Sequence, residues 1–195
     1  MRQEPEMNAD LLCRMASGFH KVGVDAAWRL HGTGPDAFRM IGPAAVNLAL
    51  AAELYLKAVH LLNARQPLDT HELWKLFKTL PRLTVELLGI NYTQALATTK
   101  DELKSMHIAI SRGNDSKKND FPPTPDTVKL LLVMHNHAFI SWRYLHEVSG
   151  KSQPYHFDFH AMHVFCGVLN THVSNLLNAR TSHFGITDVT TGEPV

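Results

Sequence analysis

From Ala44 to Arg65 the chain reads AAVNLALAAELYLKAVHLLNAR, with no glycine or proline to interrupt it. At 100° per residue, Leu48, Tyr55, Leu56, Val59 and Leu62 fall on one side of a helix. Val46, Leu50, Leu54 and Leu61 fall on the other. A helix that is apolar on two sides needs neighbours on both, so this segment predicts a central rod with other helices packed around it. One narrow line breaks the apolar surface: Glu53, Lys57 and His60, at i, i+4 and i+7. Glu53 precedes Lys57 by one turn, the favourable order for an ion pair. The line is either a solvated strip or a polar seam beneath another helix.

The remaining chain divides into further helical stretches. Asn8 or Asp10 starts a first helix that reaches about Leu30, where His31-Gly32-Thr33-Gly34-Pro35 stops it. Asp36 to Met40 is a short helical or irregular link. After the central helix, Arg65 to Thr70 forms a turn. Asp69 or Thr70 is placed to cap a short amphipathic helix containing His71, Glu72, Leu73, Trp74, Leu76, Phe77 and Leu80. Pro81 ends that helix and opens another, Arg82 to Leu88, which Gly89 closes. Leu96, Leu103, Met106 and Ile110 predict a helix from Thr93 to Ile110, unless Thr98-Thr99 divides it. Residues 112–125, RGNDSKKNDFPPTP, form the clearest loop, with a small basic cluster of Arg112, Lys117 and Lys118. A long helix is expected from Thr124 or Asp126 to about Val148, and a last one from Phe157 to Ala179. No stretch alternates with period two. The expected fold is all-α: one domain over 1–195, an antiparallel up-and-down bundle of about five to seven helices, with loose termini at 1–7 and 181–195.

Bulk properties narrow the function classes. A net charge of +1 supplies no global field for nucleic acid or anionic membrane, so any RNA contact must be a local patch. Two cysteines, Cys13 and Cys166, make no disulfide framework and suit a reducing cytoplasm. The first ten residues carry three acids and no apolar run, unlike a secretory leader. Asn47, Glu53, Lys57 and His60 within the most apolar segment argue against a membrane span. His160 and His163 lie at i, i+3, but they continue into Asn170 and Ser174 as an ordinary wet face, with no H-E-x-x-H. No metal or cofactor is expected.

Three features together resemble the HEPN superfamily (higher eukaryotes and prokaryotes nucleotide-binding). They are the Glu53-x3-Lys57 line, the start Thr70-His71-Glu72-Leu73, and the run Phe139 to Glu147 with its Trp142-Arg143-Tyr144 core. The likeness covers roughly residues 40–180. It implies a helical bundle, a homodimer and, in active members, metal-independent cleavage of RNA. It also implies partners such as an antitoxin or a nucleotidyltransferase. The nuclease motif of that superfamily is an Arg followed by four to six residues and a His. Arg14-x5-His20 and Arg65-x5-His71 have this spacing, while Arg143 has the matching place and is followed by His146 three residues on.

The chemistry would use a histidine, His71 or His146, to move protons at the reacting oxygens. A guanidinium, Arg143, would hold the phosphate. Asn136, seven residues before Arg143 on the expected helix, would share its groove, with Glu53 and Lys57 beneath. Arg143 is equally suited to a structural pairing with Glu147 or Glu53. The alternative function is a non-catalytic, dimeric helical interaction module that binds a protein partner or a small ligand.

Overall fold

The computed structural model describes residues 8–32, 35–100, 102–103, 105–109, 122–144 and 154–184. The described chain is an all-α bundle of four long helices and four short ones, with one small strand pair. Helix α1 spans Ala9–Trp28, where Asn8 caps it by accepting the amides of Asp10 and Leu11 at 2.9 and 3.2 Å. A 3-10 turn, Arg29–His31, and the short α2, Pro35–Arg39, follow.

The central helix α3 spans Ile41–Leu62. It begins a turn before Ala44, because Pro43 in a first turn sacrifices an amide that has no intrahelical partner anyway. Leu48, Tyr55, Leu56, Val59 and six alanines of α3 are fully buried. These small side chains let neighbouring helices approach closely. Gly23 of α1 meets α3 so tightly that a Cβ there would lie 2.8 Å from Leu48 Cγ. The helix ends with Ala64 in the left-handed region (φ 54°), where Arg65 N donates to His60 O and Ala64 N to Leu61 O.

Helix α4 is Leu73–Lys78 and α5 is Arg82–Thr98. Strand β1, Met106–Ala109, pairs antiparallel with β2, Pro154–Phe157. Helices α6, Val128–Met134, and α7, Ala138–Arg143, precede β2, and α8, Phe159–Phe184, closes the order.

Pair contacts set the helix directions. Cys13 and His20 of α1 meet Asn170 and His163 of α8 in opposite chain order, so these two helices are antiparallel. Leu48 and Leu62 of α3 meet Cys166 and Arg180 of α8 at one constant offset, so α3 and α8 run parallel. The apolar segment Ala37–Leu62 is long and apolar enough to cross a membrane by length and composition, yet 67% of its most apolar window is buried inside the protein. Its apolar character serves the core.

Four helical expectations change. Gly89 does not close a helix: α5 runs through it, since nothing crowds the position and the flanking residues sustain the ladder. Met106 does not continue that helix but enters β1, whose partner β2 is supplied by the chain just before α8. The expected helix from Asp126 to Val148 breaks at His135-Asn136-His137 into α6 and α7. The last helix begins at Phe159 rather than Phe157, with Asp158 accepting Ala161 N at 2.9 Å, and it extends to Phe184. Residues 1–7, 112–121, 145–153 and 185–195 lie outside the described residues.

Histidines serve as neutral connectors. His135, buried at the end of α6, donates from Nδ1 to Leu131 O (2.8 Å), and its Nε2 accepts Asp158 N–H (2.9 Å). Both nitrogens are thereby used in the neutral ring, and burial lowers its pKa. His20 Nε2 and His163 Nδ1 lie 2.8 Å apart between α1 and α8. Burial and the neighbouring imidazole bring His20 down to about 4, and burial and His160 lower His163 despite the opposing effect of Glu102. These rings are neutral when folded, whereas the unfolded chain takes up their protons near pH 6.5. Stability is therefore complete above that pH and falls as the pH drops from 6.5 towards 4. Thermal melts across this window should show the loss, and His20→Gln should flatten it. An unchanged melting temperature down to the lower limit would contradict the neutral pairing.

Candidate functional site

The polar line on α3 is a buried seam. Glu53 is 2% exposed although it carries a carboxylate. Such a group is tolerated in a core only when its oxygens are hydrogen-bonded and its charge is matched. Lys57, one turn further on, donates from Nζ to Oε1 at 2.8 Å, and its side chain is 15% exposed. The second partner is His71, whose Nδ1 lies 2.9 Å from Oε2 and 3.1 Å from Oε1. His60, the third residue of the line, is also buried and faces Leu76 O at 2.9 Å from Nε2.

His71 does not lie in a helix. Thr70 Oγ1 accepts Glu72 N at 3.1 Å, a local turn that competes with helix formation and delays α4 until Leu73. The turn leaves His71 on the loop between α3 and α4, with its side chain 48% exposed. An ionised carboxylate only accepts, so the hydrogen on this ring sits on Nδ1, and Nε2 is left for whatever approaches from outside.

Above His71 lies Phe139 of α7, the ring centroids 5.1 Å apart. The Arg143 guanidinium covers the same phenyl ring at 5.6 Å and the Tyr144 ring at 4.8 Å, and it bonds the Tyr144 hydroxyl. Arg143 is exposed. Four residues singled out in the sequence, Glu53, Lys57, His71 and Arg143, thus form one contiguous cluster with Phe139 at its centre. Phe139, the start of the resembling run, was given no part in the site, because an aromatic residue on an apolar helix face carries no sign of its neighbours.

Asn136 has a different place. It sits in the break between α6 and α7 and serves the start of α4: its Oδ1 accepts Trp74 N at 2.9 Å and its carbonyl accepts Leu73 N at 3.3 Å. Its amide donates to Glu72 Oε2 at 3.4 Å. Helix α4 has no side-chain cap of its own, so Asn136 supplies one from a distant part of the chain. It shares no helical face with Arg143, since the helix on which both were expected is broken. His146 and Glu147 lie outside the described residues. Among the described residues, no three His, Cys, Asp or Glu side chains converge as a metal set would.

Compared with known proteins, the chain matches no family model, no curated protein and no solved structure.

The cluster unites a proton-carrying ring, a buried group that fixes its orientation and an exposed cation. Beside it, Asn136 holds the base of α4 and thereby the His71 loop. Asn136→Ala should lower unfolding stability by about 1–2 kcal/mol through the lost cap and the exposed amide of Trp74. Chemical denaturation checks this; a variant as stable as wild type would remove Asn136 from its capping role.

Proposed function

We propose that the chain is a HEPN-like helical protein that engages RNA and cleaves it without a metal. The observation that carries this reading is the buried Glu53 carboxylate bonded to Nδ1 of a half-exposed His71, beside a phenyl ring that Arg143 covers. A carboxylate on Nδ1 orients the ring and leaves Nε2 as the base. In this reading, His71 Nε2 takes the proton of a ribose 2′-hydroxyl. The freed oxygen attacks the adjacent phosphorus, and the bond to the 5′-oxygen breaks. The products are a 2′,3′-cyclic phosphate and a 5′-hydroxyl, the leaving oxygen receiving a proton from solvent or from His146. Arg143 neutralises the charge that develops on the phosphate oxygens. Lys57 holds Glu53 in place. The likeness of the Glu53-x3-Lys57 line and the Trp142-Arg143-Tyr144 run to that superfamily supports the same reading. A cytoplasmic homodimer working with an antitoxin or nucleotidyltransferase partner belongs to the same proposal.

A second reading has its own observation. Leu83, Leu87 and Ile90 form an exposed apolar stripe at i, i+4 and i+7 on α5, which suits a non-catalytic dimeric interaction module. A strictly monomeric mass in solution would count against it.

Incubation of the purified protein with mixed RNA in EDTA tests the first reading. Wild type should release fragments ending in 2′,3′-cyclic phosphate, and His71→Ala and Arg143→Ala should each slow cleavage by about 100-fold or more. Intact RNA, or cleavage indifferent to both substitutions, would reject it.

A further inference from the structure

A groove of about 840 Å³ runs between α5 and α8, within the size range of small-molecule sites. Its walls are unusual in composition. Asn91, Gln94 and Thr98 face it from α5, and Thr171, His172 and Asn175 from α8. Val164 and Gly167 give it an apolar strip. Among the described residues, no charged side chain lines it. Glu102, close enough to act on His163, does not belong to the lining.

Two features mark the groove as more than a surface crease. His172 Nε2 is buried and has no hydrogen-bond partner among the described residues. An unpaired polar atom of this kind costs about 1–3 kcal/mol, a deficit that a ligand group removes once the ring turns its nitrogen into the groove. His163, which also lines the groove, has its Nδ1 held by His20, so that the orientation of its ring is fixed. Burial keeps both imidazoles neutral near pH 7, consistent with a lining that carries no charge.

We propose that this groove binds a small uncharged nitrogen heterocycle, of which a nucleoside is the natural representative. The choice follows from the lining. Carboxamides offer a donor and an acceptor side by side, the pattern that reads the edge of a base. The apolar strip suits the face of a flat ring, and threonine hydroxyls suit a sugar. A nucleotide is disfavoured, because no cation in the lining receives a phosphate. The inference uses none of the residues of the Glu53–His71 cluster and stands apart from the RNA-cleavage reading.

Gly167 provides the test. A Cβ there meets no atom within 4 Å, so Gly167→Leu extends a side chain into open groove without a clash. Leucine also favours a helix more than glycine does, so the fold should be kept or strengthened. His172→Phe keeps the ring and removes the unpaired nitrogen. Saturation-transfer NMR with adenosine, guanosine, cytidine and uridine at millimolar concentration should detect binding of at least one. Gly167→Leu, at an unchanged or higher melting temperature, should weaken that binding by about tenfold or more, and His172→Phe should weaken it too. The 5′-monophosphate of the bound nucleoside should bind less well. Binding of none of the four, binding indifferent to both substitutions, or equal binding of the monophosphate would overturn the proposal.

Discussion

The structure turns on a carboxylate inside an apolar helix. Glu53 sits amid the fully buried alanines and leucines of α3, where an unpaired charge would cost several kcal/mol. Its oxygens are therefore obliged to find partners. Lys57 supplies one from the next turn, a contact fixed by helix geometry alone. His71 supplies the other from beyond the helix end, and that contact draws the loop between α3 and α4 back against the rod. The rest of this face follows from it. With His71 in place, α4 begins at Leu73 and takes its cap from Asn136, which ties the loop to the break between α6 and α7. Phe139, one turn past that break, then lies on the His71 ring and carries Arg143 with it.

Elsewhere the protein uses imidazoles as uncharged links. His135 bridges the end of α6 to the start of α8, and the His20–His163 pair joins α1 to α8 across the other side. A neutral ring both donates and accepts, so it can join two backbone or side-chain groups without bringing a charge into the interior. The arrangement makes the bundle sensitive to acid at places remote from Glu53. The same helix α8 presents His163 and His172 to the groove shared with α5, so its histidines serve both packing and a candidate binding surface.

Three of the four long helices, α1, α3 and α8, were legible in the sequence for simple reasons. Asn8 announces α1 because a side-chain oxygen is needed for its first amides, and the glycine-free apolar run announces α3. What escaped was set by distant contacts. The break at Asn136 exists because that residue caps another helix, and the periodicity around it does not reveal this. The strand β1 depends on β2, which lies far along the chain. The parallel course of α3 and α8 and the antiparallel course of α1 and α8 are those of the second and fourth, and the first and fourth, long helices of an up-and-down order. In the candidate site, Glu53, Lys57, His71 and Arg143 were all named as site residues from the sequence, since polar residues beside apolar stretches stand out. Phe139 and the groove between α5 and α8 were not, because their residues gain meaning only from elements brought beside them.

Glu53 holds His71 by Nδ1 and leaves Nε2 outward. Long-range proton–nitrogen NMR of the histidine side chains, at about pH 8 where imidazoles are neutral, tests it most directly. His71 should be the Nδ1–H tautomer in the wild-type protein and lose that bias in Glu53→Gln. A His71 that is mainly Nε2–H, or whose tautomer is the same in both proteins, would contradict it.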